Sequence, residues 1–178
     1  MAFLQVIRDF LVPVARREIS VSAPAAPTEY RLDRLQEKHL DEVLRLNLRC
    51  FANGENYTKH TFSYLLSQPK ALCFQAVTAE GKMAAFVCVL VADDGTAHVT
   101  TIGVAPEHRR RGLGERLLTH LESELIQHGV GSVVLEVRVS NIAAQRLYKA
   151  CDFIVVQRIS GYYTDGEDAF LMIKALTT

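Results

Sequence analysis

Hydrophobic residues follow two different periods along the chain, and each period predicts one kind of secondary structure. Apolar residues recur every three to four positions over residues 37–50, 58–66 and 114–128, which is typical of amphipathic helices. Alternating or continuous apolar runs rich in β-branched residues predict strands, which cover residues 30–35, 71–78, 83–92, 96–104, 132–139, 153–159 and 169–176. A shorter helix is expected to begin at Asn141. The pattern therefore predicts an α/β fold.

The turns between the predicted strands indicate how these strands pair. Residues 79–82 and the sequence Asp93-Asp94-Gly95 are hairpin signals, so the strands that they connect are expected to be antiparallel. Residues 96–139 then read as strand, helix and strand, which is typical of a parallel pair. The sheet is therefore expected to be mixed, with helices packed against it.

The first 28 residues differ in character from the rest of the chain. Residues 1–18 place apolar side chains at helical spacing, which favours a short amphipathic helix, and residues 22–28 have the composition of an extended linker. We therefore expect a segment and linker over residues 1–28 and a compact domain over residues 29–178. The segment could dock on its own domain, support an oligomer or stay disordered, and its small basic face argues against membrane attachment.

Composition narrows the class of protein. The chain of 178 residues suits one compact domain, and its 20 basic and 20 acidic residues leave no excess charge with which to bind nucleic acid. No apolar run approaches the roughly 20 residues of a membrane span, and no secretory signal is evident. The cysteines form no Cys-x-x-Cys pair and sit among apolar residues, so buried free thiols in a cytoplasmic protein are expected. They are Cys50, Cys73, Cys88 and Cys151.

A basic glycine-rich loop between a strand and a helix points to a ligand that carries phosphate. Glycines let the backbone approach an anion, and a helix N-terminus offers unpaired N–H groups and partial positive charge. A Walker loop is excluded, because no Gly-Lys-Ser or Gly-Lys-Thr follows the glycines. A dinucleotide fingerprint is also excluded, since Leu117 stands where the third glycine belongs. What remains is the pattern Arg109-x-x-Gly112-x-Gly114.

This pattern, placed after an antiparallel strand, resembles the signature of the GNAT superfamily of N-acetyltransferases. The second half of the chain, from Leu135-Glu-Val-Arg-Val-Ser-Asn141 to Gly161-Tyr-Tyr-Thr-Asp-Gly-Glu-Asp-Ala169, resembles the N-terminal protein acetyltransferases, including the ribosomal-protein alanine (RimI-type) branch. The resemblance implies a GNAT-type mixed, centrally splayed β-sheet flanked by helices. It also implies acetyl-CoA as the donor co-substrate and a protein N-terminus as the acceptor.

The expected acetyl-CoA site combines the glycine loop with the preceding strand. Backbone N–H groups and the arginines would hold the phosphates, and the pantetheine arm could pair with residues 102–104, where Gly103 fits a bulge. Asn141 could cap its helix or, as the resemblance implies, bind the donor. The expected donor-binding residues are Ile102, Gly103, Val104, Arg109, Arg110, Arg111, Gly112, Leu113, Gly114, Glu115, Asn141, Ala143 and Tyr148.

Two residues carry the expected chemistry. Strand alternation places Glu136, Arg138 and Ser140 on one face, and partial desolvation would make the Glu136 carboxylate a better base. The resemblance implies that Glu136 is the general base and that Tyr148 protonates the departing thiolate. Without catalysis, Glu136 could simply pair with Arg138, and Tyr148 could pack its helix on the sheet.

The acceptor is expected to enter between two loops that carry aromatic residues. The resemblance assigns this role to Glu55, Asn56, Tyr57, Tyr162 and Tyr163. An α-amine with a pKa near 8 is easier to deprotonate at neutral pH than a lysine with a pKa near 10.4, by about 3 kcal/mol. A lysine or small amine as acceptor, and a catalytically silent module that binds acetyl-CoA, are the alternatives.

Two further expectations follow from single positions. Asp152 stands where relatives usually carry glycine, and aspartate tolerates the left-handed backbone that such a turn needs. The histidines lack the spacing of metal ligands, so no metal site is expected. Those considered are His60, His98, His108 and His120.

Overall fold

A computed structural model describes residues 22–51 and 56–176, and these residues build a mixed sheet with helices on both faces. The strands are β1 (Tyr30–Arg34), β2 (Ala71–Thr78), β3 (Met83–Val91), β4 (Thr96–Val104), β5 (Ser132–Arg138), β6 (Ile154–Ile159) and β7 (Ala169–Ala175). The helices are α1 (Leu40–Cys50), α2 (Lys59–Ser67), α3 (Leu113–Gln127) and α4 (Ile142–Ala150), with short 3-10 helices at Glu37–His39 and Pro106–His108. The helix predicted within residues 1–18 lies outside the described residues.

The seven strands follow the order β1-β2-β3-β4-β5-β7-β6. Strands β4 and β5 are parallel, and every other neighbouring pair is antiparallel. The predicted α/β fold and mixed sheet are therefore confirmed. The last strand in the sequence, β7, lies inside the sheet, so that β6 forms one edge and β1 the other.

Strands β4 and β5 separate after a short stretch of pairing. The pairs are Thr96 with Ser132, Ala97 with Val133, and His98 with Val134, and the pairing stops there although both strands continue. The predicted central splay is confirmed. It opens a cleft between the two strands in the middle of the sheet.

The bulge in β4 is at Thr100, so its predicted position at Gly103 is wrong. Thr101 pairs with Cys88 and Val99 pairs with Val89, which leaves Thr100 as the extra residue. Gly103 is regularly paired with Phe86. A Cβ atom at residue 103 would lie 2.7 Å from Cε1 of Phe86. Glycine at this position therefore makes room for a buried aromatic ring.

Two hydrophobic layers hold the sheet. Helix α3 covers one face with Leu113, Leu117, Leu121 and Leu125, each at most 1 % exposed. Helices α1 and α2 cover the opposite face. Because alternate residues of β5 pack against α3, Glu136 faces the side of α1 and α2.

Several local expectations are confirmed. Thr58 caps α2 by accepting a hydrogen bond from the N–H of Thr61 at 3.1 Å. Gly129 follows α3 with φ of +71°, and Asp152 follows α4 with φ of +64°. The four cysteines are free, but Cys50 is partly exposed, which corrects the expectation that all four are buried. None of the described helices is long and apolar enough to cross a membrane.

Candidate active site

The cleft between β4 and β5 has two connected compartments. The larger one lies against the glycine loop and has a cavity volume of about 460 Å³. The smaller one lies against β5 and has a volume of about 230 Å³. The residues that line both compartments are Phe51, Ile102, Val104, Asn141, Ala144 and Leu147.

The larger compartment gathers most of the expected donor-binding residues. Those that line it are Ile102, Gly103, Val104, Arg109, Arg110, Gly112, Leu113, Gly114, Glu115, Asn141 and Ala143. They bring strand β4, the glycine loop and the starts of α3 and α4 together around one cavity. Such a combination of extended backbone, arginines and a helix N-terminus suits an extended ligand with a phosphate end.

The backbone of the glycine loop explains its residue types. Gly112 is the N-cap of α3 with φ of +74°, and Arg110 also has a positive φ, of +62°. A Cβ atom on Gly114 would lie 2.8 Å from Cδ2 of Leu147, so this glycine allows α3 and α4 to approach each other. The first N–H groups of α3 therefore lie at the cleft.

The side chain of Arg111 does not line the cleft. Its guanidinium donates hydrogen bonds to the carbonyl oxygens of Ala25 and Ala26 and, at 3.0 Å, to Oη of Tyr30. Arg109 lines the cleft, but it donates from Nε to the Val104 carbonyl at 3.2 Å. Of the three arginines, Arg111 has its side chain on the N-terminal linker, outside the residues that line the larger compartment.

Glu136 lines the smaller compartment and belongs to a buried pair that the sequence did not reveal. Oε2 of Glu136 lies 2.7 Å from Nε2 of His98, and the two side chains are 5 % and 2 % exposed. An ionised carboxylate can only accept hydrogen bonds, so Nε2 of His98 is the donor when Glu136 is ionised. Oε1 of Glu136 is buried and accepts no hydrogen bond from the described residues. The sequence offered only one signal for this pair, a histidine within the strand predicted over residues 96–104.

Tyr148 lines the same compartment as Glu136. It is buried on α4, and its ring packs against Phe153 with centroids 5.9 Å apart. Burial raises the pKa of its hydroxyl well above the usual value for tyrosine. The hydroxyl therefore stays protonated at neutral pH, so packing and a role as proton donor are compatible.

The predicted acceptor residues divide into two groups. Tyr57 and Tyr163 line the smaller compartment, and Tyr57 donates from Oη to the carbonyl of the bulged residue Thr100 at 2.7 Å. Asn56 and Tyr162 are buried and do not line this compartment. Glu55 lies outside the described residues.

Two other expectations concern Asn141 and metals. Oδ1 of Asn141 accepts a hydrogen bond from the N–H of Ala144 at 3.1 Å, so the predicted cap is present.

Within residues 22–51 and 56–176, no group of three or more His, Cys, Asp or Glu side chains could hold a metal ion.

The chain belongs to the acetyltransferase (GNAT) family, because the family model matches residues 40–153. It is therefore an N-acetyltransferase, as the resemblance of its sequence to the GNAT superfamily implied. It is 45 % identical over 100 residues to the ribosomal protein bS18-alanine N-acetyltransferase of Escherichia coli, a match that spans 54 % of this chain and 66 % of that protein. It is 31 % identical over 160 residues to an N-alpha-acetyltransferase of Sulfurisphaera tokodaii, covering 83 % of this chain and 94 % of that one.

A solved structure shares the fold. The crystal structure of the ribosomal-protein-S18-alanine N-acetyltransferase from Escherichia coli matches with a TM-score of 0.77 at 34 % identity, over 84 % of this chain and 96 % of that chain. The predicted fold class and enzyme class are thus confirmed.

Proposed function

We propose that this enzyme transfers the acetyl group of acetyl-CoA to the α-amino group of a protein N-terminus, as an alanine-type acetyltransferase of ribosomal proteins. The names of the relatives from Escherichia coli and Sulfurisphaera tokodaii support this substrate class. The observation that carries the proposal is that Glu136 and Tyr148 line one compartment, which is connected to the compartment at the start of α3.

In this proposal the donor occupies the larger compartment. The N–H groups at the start of α3, together with Arg109 and Arg110, hold the pyrophosphate, while residues 102–104 pair with the amide-rich pantetheine arm. The thioester would then lie where β4 leaves β5, between the two compartments. The donor-binding roles of the lining residues are part of the proposal.

The chemistry needs one base and one acid. Glu136 removes a proton from the acceptor ammonium group, and His98 leaves Oε1 of Glu136 available for this task. The neutral amine attacks the thioester carbon, the carbon–sulfur bond breaks, and Tyr148 gives its proton to the departing sulfur. The second proton of the amine nitrogen then passes to the tyrosinate and restores Tyr148, and Glu136 releases the first proton to solvent, so the products are the amide, the CoA thiol and one proton. Cys50 lines the larger compartment, but burial raises the pKa of its thiol to about 12, which disfavours an acetylated cysteine intermediate.

The entrance favours an extended N-terminus. Tyr57 and Tyr163 provide aromatic walls, and the bulge at Thr100 anchors the first of them. The lower pKa of an α-amine also reduces the free energy needed to form the neutral nucleophile, compared with a lysine.

The test is acetylation of synthetic peptides with a free N-terminal alanine, a blocked N-terminus, or a blocked N-terminus with an internal lysine, read by mass. We expect acetylation of the free N-terminus. Glu136→Gln and Tyr148→Phe should each lower kcat by about a hundredfold while acetyl-CoA still binds, as general acid and base catalysis contribute on that order. Glu80→Gln and Tyr64→Phe, both at exposed sites, serve as matched controls.

Three outcomes would contradict the proposal. Activity confined to lysine-bearing or nonpeptide acceptors would assign a different substrate class. Full activity in both Glu136→Gln and Tyr148→Phe would mean that the compartment is not the catalytic centre. A catalytically competent acetyl-cysteine enzyme would contradict direct transfer.

A further inference from the structure

We infer that Arg138 is a positioning residue for the acceptor, because it fixes the loop of residues 161–168 that presents Tyr163 to the cleft. The inference rests on the proposed function in one respect, namely that the smaller compartment receives the acceptor. Arg138 does not line the larger compartment, where the donor is proposed to bind, so its effect should be confined to the acceptor.

Arg138 joins the catalytic strand to the loop. It lies on β5 two residues after Glu136 and on the same face, and its side chain is 19 % exposed. Nη1 donates to Oε2 of Glu167 at 2.7 Å and to both carboxylate oxygens of Asp165 at 3.0 Å. The guanidinium also stacks over the ring of Tyr163, 3.8 Å from its centroid. One side chain thus contacts three residues of the loop and lines the cleft.

The two carboxylates are also tied to backbone groups. Oε1 of Glu167 accepts a hydrogen bond from the N–H of Ser140 at 2.8 Å, and Oδ1 of Asp165 accepts one from the N–H of Glu167 at 3.1 Å. The loop then closes through the N–H of Tyr163, which donates to the carbonyl of Glu167 at 3.1 Å. Removing Arg138 would leave two neighbouring carboxylates without their shared cation, and their repulsion would open the loop.

The charges around Arg138 suit a cationic acceptor. One guanidinium stands between two carboxylates, which offset its positive charge, although only Arg138 of the three lines the cleft. An incoming ammonium group is therefore not repelled by the arginine that lines the cleft. The arginine contributes geometry to this site rather than net positive charge.

Arg158, on β6, offers a matched control because it contacts the same loop. Its Nε donates to Oδ2 of Asp168 at 2.8 Å, but its side chain is 61 % exposed. It is absent from the residues that line the cleft. Exposed ion pairs contribute little to stability. A substitution there removes an arginine–carboxylate contact of the loop without touching Tyr163.

The experiment compares Arg138→Met, Arg138→Lys, Glu167→Gln and Arg158→Met with the unaltered enzyme. The acceptor is a short synthetic peptide with a free N-terminal alanine, and the donor is acetyl-CoA. We expect Arg138→Met to raise KM for the peptide about tenfold, the loss typical of a charged hydrogen bond. Its kcat and acetyl-CoA affinity should stay within about twofold, because only acceptor positioning is lost. Arg138→Lys and Glu167→Gln should give smaller increases, and Arg158→Met none.

Hydrogen exchange gives a second readout that needs no acceptor. In Arg138→Met the amides of Tyr163 and Gly166 should exchange faster than in the unaltered enzyme, and in Arg158→Met they should not. The inference is overturned if Arg138→Met and Arg158→Met behave alike in exchange and in KM, or if kcat falls while KM is unchanged. If the unaltered enzyme does not acetylate the peptide, the proposed function fails and exchange alone decides the role of Arg138. If Arg138→Met does not fold, Glu167→Gln tests the same contact from the loop.

Discussion

Glu136 and His98 meet where β4 and β5 part, and each side chain is almost completely buried. A buried carboxylate needs hydrogen-bond donors to keep one orientation. His98 supplies such a donor to Oε2 and so holds the carboxylate with its other oxygen available. We therefore predict that His98 acts through Glu136, as a positioning residue for the proposed base.

Substitution of His98 should separate positioning from folding. We expect His98→Leu to lower kcat by about tenfold or more, because the carboxylate loses a hydrogen bond to a charged acceptor. KM for acetyl-CoA should change little, since His98 does not line the larger compartment, where the donor is proposed to bind. His98→Gln, whose amide can still donate, should recover part of kcat. Steady-state kinetics with both substrates varied provide the measurement.

Equal losses in the two His98 variants would contradict this role. So would a fall in kcat that tracks a fall in thermal stability, because a purely structural residue would behave in that way. Circular dichroism melting curves recorded on the same samples distinguish the two cases.

Strand alternation was enough to place Glu136 on the open face of β5, because side-chain direction follows from sequence position within a strand. It was not enough to find His98 as its partner or Thr100 as the bulge. Both depend on the register between β4 and its neighbours, which is a tertiary property. The sequence alone favours a bulge at Gly103, because glycine is common in bulges. The actual reason for the glycine is the close ring of Phe86, which lies on another strand and leaves no room for a Cβ atom.

The glycine loop connects three elements: the end of β4, the start of α3 and the N-terminal linker. The N–H of Ala25 donates to the carbonyl of Glu107 at 3.0 Å, and Arg111 holds the carbonyls of Ala25 and Ala26. Residues 22–28 were predicted as an extended linker, and these contacts show that part of it docks on its own domain. The run of three arginines in the sequence could not show which of them would turn to the linker.

Arg111→Gln should release the linker while leaving the donor compartment intact. We expect faster proteolysis within residues 22–28, because the arginine holds two backbone carbonyls there. The affinity for acetyl-CoA should change by less than about twofold, whereas Arg110→Gln, at a residue that lines the cleft, should weaken it by more. Limited proteolysis with mass analysis and calorimetric titration are the measurements.

The reverse order of affinities would contradict this division of the arginines. If Arg111→Gln weakened acetyl-CoA binding more than Arg110→Gln, then Arg111 would turn from the linker to the phosphates when the donor binds. An unchanged proteolysis pattern would mean that other contacts hold the linker.

The boundaries of the predicted helices and strands agree with the structure to within a few residues, because apolar periodicity reports directly on burial. The first helix is the main exception, since residues 37–39 form a 3-10 helix before α1 begins. Strand order at the C-terminal edge was not predictable in the same way. That order depends on which strand best covers β5, and β7 does so over seven residue pairs.

The splayed sheet gives the whole molecule its two compartments. The short pairing of β4 with β5 fixes where the strands meet, and the glycine loop and the loop of residues 161–168 then lie on different sides of the opening. The glycine pattern predicted one wall, and the resemblance to the N-terminal acetyltransferases implied the other. The cleft between them exists only because elements far apart in the chain converge, so its volume and its division into two parts required the structure.

The stability of the folded protein should depend on pH through His108. Its Nδ1 lies 2.9 Å from Oη of Tyr30, and this hydroxyl also accepts a hydrogen bond from Arg111. Burial lowers the pKa of His108, and the nearby guanidinium groups of Arg111 and Arg49 lower it further, although Glu107 opposes them. The neutral ring is therefore the form that the folded state prefers.

The sign of the effect follows from proton linkage. Because the pKa of His108 is lower in the folded than in the unfolded protein, its contribution to stability is fully present above about pH 6.5, the ordinary value. It is lost as the pH falls from there through the folded-state pKa. Asp33, Asp93 and Glu107 also have lowered pKa values, each chiefly through a hydrogen bond from a basic side chain, but carboxylates titrate in a more acidic range.

Urea unfolding should thus show a free energy of unfolding that falls between pH 7.5 and pH 5. His108→Gln should reduce the slope of this free energy against pH. An unchanged slope in His108→Gln would contradict this assignment. The matched control is His60→Gln, at an exposed site, which should leave the slope as it is in the unaltered protein.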